Sequence, residues 1–327
     1  MKKAKRIIIF LTASSLILLT VMVIQQKKSG TELETPRQSQ NSTSVEKRST
    51  TQSSSSKTTT DSSMTLQPSE DIISENYMVQ REDIDLYGVI TASRNYKAEK
   101  RPLVIISHGF NNTLEDYDDY ADALARLGFI VYRFDFYGGS TRSKSGGTDM
   151  LAMSVLTEKR DLSTVVEKLS KESFVNTGAI ALLGASQGGV VSTLFAAENP
   201  TVIKNLVLIF PAFVLFDDVK ETYANLGISS TDQIPAVITH KNDQLGAIYL
   251  KGALEVDSDN EIKKVTSPVL IIQGTEDDVV PYQYAVDANQ LFPDSELVTV
   301  EGGGHWIDSN FNQVALPAIE AFLKNSF

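Results

Sequence analysis

The chain contains no cysteine. Disulfides, thiolate metal sites, a cysteine nucleophile and a lipid-modified cysteine are therefore all excluded. Histidine is scarce as well: His108, His240 and His305 are the only three. That is too few for a histidine-rich centre, so no metal is expected. Basic charge is thin outside the N-terminal segment. Residues 1–66 hold ten Lys or Arg against four Asp or Glu, whereas the remaining 261 residues hold 20 against 37, a net of −17. An acidic body of that kind repels phosphate backbones, which argues against a nucleic-acid partner. It does not by itself select a substrate, and the oligomeric state is left open.

What is present divides the chain into three parts. Lys2, Lys3, Lys5 and Arg6 precede an apolar run, Ile7 to Ile24, interrupted only by small Thr and Ser residues. Eighteen residues at helical rise is about the minimum that spans a bilayer. The run ends Val-Met-Val-Ile-Gln-Gln with no Ala-x-Ala-like pair, so residues 1–28 are expected to be an uncleaved membrane anchor, the alternative being a cleaved signal peptide and secretion. The larger basic cluster on the N-terminal side predicts a single-pass protein at the cell membrane, with the folded domain outside. Residues 29–70, with runs such as Ser53–Ser56 and Thr58–Thr60, have too few large apolar side chains to offset their ordering entropy and read as a disordered linker.

From about residue 75 short β-rich runs alternate with amphipathic stretches. Met78–Ala92 reads as an antiparallel hairpin broken near Glu82-Asp83. Apolar runs follow at Leu103–Ser107, Ile130–Phe134, Ile180–Leu183, Leu206–Phe210 and Val269–Ile272, with a weaker one at Leu297–Val300. Runs apolar on both faces suit parallel strands covered by helices on each side. Helical patterns lie at Leu114–Leu127, Leu156–Leu169, Gln187–Ala197, Tyr282–Leu291 and Leu316–Leu323. The alternation predicts an α/β fold, a mostly parallel doubly wound sheet, over residues 71–327. More than fifty residues separate two strands after Pro211, and a segment that long has structure and function of its own. Residues 211–265 or so are expected to form a small cap.

The strongest chemical signal is Gly184-Ala185-Ser186-Gln187-Gly188-Gly189, directly after one apolar strand and opening a helix. Gly-x-Ser-x-Gly in that context is a nucleophile elbow, a strained turn that needs glycine on both sides and lifts the serine hydroxyl to a helix N-terminus. On its own the pattern can be an ordinary glycine turn. A serine hydroxyl also needs a base within hydrogen-bond reach. His305, in Glu301-Gly302-Gly303-Gly304-His305-Trp306, follows the last strand, and the order Ser, Asp, His leaves it as the candidate. In isolation a histidine after a glycine run is more often structural.

The base must be oriented by a carboxylate. Gly274-Thr275-Glu276-Asp277-Asp278 follows the strand Val269–Ile272 and offers three. Asp277, three residues after the turn glycine, is preferred over Asp278 and then Glu276. The bland reading of this segment is a solvated acidic turn. The oxyanion donors expected are the backbone N–H of Gln187, the residue after the nucleophile, and that of Phe110 in the loop Ser107-His108-Gly109-Phe110-Asn111-Asn112. His108 is expected to brace that loop.

On these residues the chain resembles the α/β-hydrolase superfamily, and within it the bacterial feruloyl/cinnamoyl esterase-like group. The likeness is carried by His108-Gly109-Phe110, Arg133-Phe134-Asp135-Phe136, Met153–Lys159, Gly184–Gly189, Gly274–Pro281 and Gly304-His305. Asn111-Asn112, Gly138-Gly139-Ser140 and Trp306 depart from the group's usual residues. The resemblance implies the α/β-hydrolase fold, no cofactor, and a serine esterase acting on small-molecule carboxylic esters, with hydroxycinnamate esters as one acyl class. It implies Ser186 as nucleophile, Asp277 as acid, His305 as base, and Phe110 and Gln187 as oxyanion donors. A serine peptidase or aminopeptidase on the same fold is the first alternative, and a non-catalytic surface binding protein the second. A thioesterase sits poorly with a location outside the cell, and a dehalogenase would need a carboxylate where Ser186 stands.

Overall fold

The computed structural model describes residues 66–327. The chain enters through β1 (Ile72–Asn76), forms a hairpin of β2 (Val79–Arg81) and β3 (Ile84–Leu86), and continues into β4 (Gly88–Ser93). The hairpin turns at Glu82-Asp83, as its sequence suggests, and Glu82 takes a left-handed φ of 56°. Strands and helices then alternate: β5 (Arg101–Ser107), α1 (Asp118–Arg126), β6 (Ile130–Phe134), α2 (Val155–Leu169), β7 (Val175–Ala185), α3 (Gln187–Glu198) and β8 (Asn205–Ile209). After β8 come α4 (Leu215–Asn225), a hairpin of β9 (Val237–His240) and β10 (Asp243–Gly246), α5 (Ala247–Leu254) and α6 (Ser258–Lys264). The domain closes with β11 (Val269–Gly274), α7 (Tyr282–Leu291), β12 (Ser295–Val300) and α8 (Ser309–Lys324).

Eight strands form one sheet in the order β1-β4-β6-β5-β7-β8-β11-β12. Only β4 runs against its neighbours; every pair from β6 to β12 is parallel. The expected mostly parallel sheet is therefore present. The both-face burial follows from the two-residue period of a strand. Leu103 and Ile105 of β5 face one apolar cluster, and Val104 and Ile106 face the other. Ile180 and Leu182 of β7 alternate in the same way with Ala181 and Leu183. Burying a side chain of this size is worth about 1.5–3 kcal/mol, so these two central strands anchor the domain. One face is covered mainly by α2, α3 and α7, the other by α1 and α8.

The sheet also fixes where a site can form. The direction in which successive strands are added across the sheet reverses at β5, since β6 lies on one side of it and β7 on the other. Loops leaving adjacent strands there part in opposite directions and open a crevice at their carboxyl ends. Ser107 of β5 lies opposite Gly184 of β7, which brings the Gly109-Phe110 loop beside the Ser186 elbow.

Several elements depart from the sequence reading at their N-terminal ends: β7 starts at Val175 rather than Ile180, and α1 at Asp118 after a 3-10 turn from Leu114. β1 begins at Ile72, ahead of the expected start, because a five-residue edge strand has little periodicity to read. α8 begins at Ser309, two turns before Leu316, with Asp308 capping the Phe311 N–H at 2.8 Å and Pro317 inside the helix. Ser309, Asn310, Asn312 and Gln313 make its first turns polar, so they show little apolar period.

The membrane expectation is corrected. Among the described residues no helix is long and apolar enough to cross a membrane. The longest, α8, has 16 residues, about 24 Å at helical rise against a hydrocarbon core of about 30 Å, and it carries Asn310, Asn312, Gln313, Glu320 and Lys324. The apolar run on which the anchor rested, within residues 1–28, lies outside the described residues, as do residues 29–65 of the linker. The anchor, the membrane as partner and the single-pass location at the cell membrane are withdrawn.

Candidate active site

Ser186 sits between β7 and α3 with φ 51° and ψ −122°. A side chain is held in that region only when its surroundings over-determine it, and here they do. A Cβ on Gly184 would overlap the Gly188 carbonyl, and one on Gly188 would overlap the Ser107 carbonyl of β5. The Ser186 N–H donates to the Ile209 carbonyl at 2.9 Å, tying the elbow to β8.

His305 reaches the serine from the loop after β12. A Cβ on Gly274 would overlap the Gly303 carbonyl, so glycine at that position lets the histidine loop cross the end of β11. The Glu276 N–H then donates to the Gly303 carbonyl at 2.9 Å. His305 Nε2 lies 3.0 Å from Ser186 Oγ, and His305 Nδ1 lies 2.8 Å from Asp277 Oδ2. The Phe210 ring, 4.4 Å away centroid to centroid, packs against the imidazole.

The choice among the three acids is settled by burial. Asp277 is buried, whereas Glu276 and Asp278 are exposed. Asp277 is also fully bonded: Oδ1 accepts the Val279 and Val280 N–H groups at 2.9 and 2.7 Å, and Gln273 Nε2 donates to Oδ2 at 2.9 Å. Ser186, His305 and Asp277 are thus brought into one continuous hydrogen-bonded line, in the order Ser186–His305–Asp277.

Phe110 and Gln187 both line the space around Ser186. The Phe110 loop is pinned by Tyr117, whose hydroxyl accepts the Gly109 N–H at 3.2 Å. His108 braces it as expected, since Nε2 accepts the Phe136 N–H at 3.0 Å and Nδ1 donates to the Gly109 carbonyl at 2.8 Å. Burial lowers the His108 pKa, so the ring is held neutral there. The unusual Asn111 takes φ 56°, and its Oδ1 accepts the Thr141 N–H at 3.0 Å and the Ser140 hydroxyl at 3.2 Å. The two departures from the group's residues at 111 and 140 are therefore in contact with each other.

Two cavities meet at Ser186. A wide one of about 600 Å³ includes His305, Trp306, Ile307, Asn111 and Asn112. Trp306 stands at its rim, 69% exposed. A narrow one of about 110 Å³ runs under the segment after β8, with Ala212, Val214, Leu215 and Tyr249 as apolar walls and Asp218, His240, Lys241 and Asp243 at its polar end. Asp218 and Lys241 form an ion pair at 2.7 Å there. His240 takes no part in the proton-transfer line; it bonds Thr222 Oγ1 at 3.0 Å, and burial lowers its pKa.

Sequence reasoning missed Tyr117, Gln273, Glu158 and Tyr249. Glu158 had a readable signal: it stands on the apolar face of α2, three residues after Val155 and four before Leu162, where an acid has no place without a partner. The other three carried none, because tyrosine and glutamine are ordinary in such elements.

Relatives agree with this architecture. A family model described as "Serine aminopeptidase, S33" matches residues 98–242, and one described as "TAP-like protein" matches residues 247–326. The monoglyceride lipase of Rattus norvegicus is 25% identical over 242 residues, 65% of this chain and 78% of that protein. The non-heme chloroperoxidase of Streptomyces lividans is 23% identical over 262 residues, 68% of this chain and 91% of that protein. Among solved structures, that of ferulic acid bound to Est1E from Butyrivibrio proteoclasticus is 27% identical, covers 76% of this chain and 98% of that chain, and superposes with a TM-score of 0.67. With a triad in the geometry of a serine carboxylesterase, at the switch point of a sheet in which only the second strand is reversed, the chain belongs to the α/β-hydrolase superfamily, on the fold of the bacterial feruloyl/cinnamoyl esterase-like group.

Proposed function

We propose that this protein hydrolyses carboxylic esters of aromatic or short acyl groups through an acyl-enzyme on Ser186, with residues 71–327 as its catalytic domain and 211–265 as the cap. The observation that carries this reading is the unbroken line from Ser186 Oγ through His305 to Asp277. His305 accepts the serine proton as Oγ attacks the ester carbonyl, and Asp277 keeps the imidazole in the tautomer whose Nε2 is free to accept. The Phe110 and Gln187 N–H groups take the oxyanion, each such donor being worth about 3 kcal/mol in a transition state. The imidazolium protonates the departing alcohol, and water activated by the same ring then releases the acid.

The two cavities divide the substrate. Because His305 must reach the leaving oxygen, the alcohol lies on its side, in the wide cavity beside Trp306. The acyl group then enters the narrow cavity under the cap, whose apolar walls and polar end suit a flat acyl chain bearing a distal hydroxyl. The ferulic acid bound to Est1E is an acid of that shape.

A peptidase reading has its own support. Both family models carry other descriptions than esterase, one of them serine aminopeptidase, so on sequence models it is the better backed of the two. Asp218 and Asp243 at the end of the narrow cavity could meet a substrate amine. The structural likeness to Est1E, over nearly all of that chain, favours the ester.

The test compares p-nitrophenyl acetate and butyrate, methyl ferulate and aminoacyl p-nitroanilides, using the full chain and Ser186→Ala. Ester turnover that disappears in the variant supports the proposal. Faster turnover of the anilides than of any ester transfers the site to the peptidase reading.

A further inference from the structure

Gln187 is the first residue of α3, and its side chain is buried rather than directed at substrate. Its amide is held at both ends. Nε2 donates to Glu158 Oε2 at 2.8 Å, and Oε1 accepts the Tyr249 hydroxyl at 3.2 Å. Met153 Sδ, at 3.3 Å from Nε2, closes the third side. Glu158 belongs to α2 on the sheet, whereas Tyr249 belongs to α5 in the segment after β8. All three side chains are almost entirely removed from solvent.

A satisfied buried network is by itself only packing. This one ends on the residue whose main-chain N–H faces the reacting carbonyl, and it draws one anchor from the sheet side and one from the cap side. With the amide fixed at both ends, the Gln187 χ angles are fixed, and the peptide plane carrying the N–H loses its freedom to tilt. An oxyanion donor misplaced by a fraction of an ångström forfeits much of its effect. Resting on the assignment of the Gln187 N–H as an oxyanion donor, we propose that Glu158 and Tyr249 are positioning residues. They clamp the Gln187 side chain, so that full turnover requires α5 of the cap to be seated on the core.

The chemistry of the clamp fits that role. Burial pushes the Glu158 carboxyl up to about 8, against the hydrogen bond from Gln187. At neutral pH it is an uncharged acceptor, and no fixed negative charge stands behind the forming oxyanion.

The test uses the full chain and two readouts: kcat and KM on a p-nitrophenyl ester, and the rate at which a fluorophosphonate phosphonylates Ser186. The second also builds charge in the oxyanion hole but does not depend on which substrate is natural. Tyr249→Phe keeps the ring and removes the donor. It is expected to lower kcat and the phosphonylation rate about fivefold, with KM changed less than about twofold. In a Gln187→Ala background the same substitution should cost nothing further, because the clamp has lost what it holds. Glu158→Gln keeps a neutral acceptor and should stay within about twofold of the parent, whereas Glu158→Leu should lose about tenfold. An unchanged phosphonylation rate in Tyr249→Phe, or an equal loss in both backgrounds, overturns the proposal. Should Glu158→Leu fail to fold, the Tyr249 cycle decides alone. A parent protein that is phosphonylated but turns over no ester refutes the ester reading and leaves this inference to be judged by the phosphonylation rates.

Discussion

Asp277 offers His305 an oxygen, Oδ2, at 2.8 Å, while its other oxygen is already committed to the Val279 and Val280 N–H groups. This asymmetry makes Asp277→Asn informative. The amide oxygen must take the Oδ1 position, because the two backbone donors there demand an acceptor. The NH2 group is then turned towards His305, which must face it with an unprotonated Nδ1. That tautomer carries its proton on Nε2 and cannot accept one from Ser186. We expect kcat on p-nitrophenyl butyrate to fall about 10³–10⁴-fold with the fold intact. Asp278→Asn, at an exposed position, should remain within about twofold. A large loss in the second variant and a small one in the first would reassign the acid.

The elbow makes a stability prediction. A Cβ on Gly188 overlaps the Ser107 carbonyl, and main chain in the middle of a sheet cannot move aside cheaply. Gly188→Ala should cost about 3 kcal/mol or more in denaturant unfolding, and activity with it. Gly178→Ala, on β7 ahead of the elbow, meets only the Asn176 amide oxygen at 3.5 Å and should lie within about 0.5 kcal/mol of the parent. Equal effects at the two positions would show that the tight approach of β5 to the elbow is not what requires glycine.

The narrow cavity predicts a selectivity change. Ala212 lines it beside Ser186, and its N–H is fixed to the Ser186 carbonyl at 3.0 Å. Ala212→Leu adds three carbon atoms to a wall of a space of only about 110 Å³. The ratio of kcat/KM for methyl ferulate to that for p-nitrophenyl acetate should drop about 10–100-fold. An unchanged ratio would place the acyl group in the wide cavity instead.

Much of this was legible because the governing patterns are local. The runs at Ile130–Phe134 and Tyr282–Leu291 match the observed β6 and α7 end to end, since burial on both faces and a strand-to-helix switch both leave plain periodicity. Ser186, His305 and Asp277 were legible because each stands at a strand end in a glycine-marked turn. Contacts between distant segments were not. Nothing in the sequence pairs Tyr249 with Gln187, 62 residues apart, or Asn111 with Ser140. Spacing from Gly274 was enough to prefer Asp277 over Asp278, but not to show what holds it inward, the Val279 and Val280 N–H groups on Oδ1.

Glu158 yields the pH prediction. Its carboxyl is raised by burial from 4.5 to about 8, so between those values the folded chain holds a proton that the unfolded chain has released. Stability from this group is complete below about pH 4.5, declines as pH rises, and is lost once pH passes about 8. The groups facing it do not reverse that sign. Asp161, almost one turn further along α2, is itself raised to about 6 by burial and adds repulsion once ionised. His108, near Glu158 across Gly139, is held neutral by burial, and burial likewise raises the Tyr249 hydroxyl, so neither supplies a positive charge. At about 1.4 kcal/mol per pKa unit, the decline between pH 5 and 9 should be roughly 3–5 kcal/mol. Urea unfolding at pH 5, 7 and 9 measures it, and Glu158→Gln, which has no proton to lose, should show a curve flatter by that amount. If the two proteins lose stability in parallel, Glu158 ionises at an ordinary pH and the neutral acceptor behind the oxyanion hole does not exist.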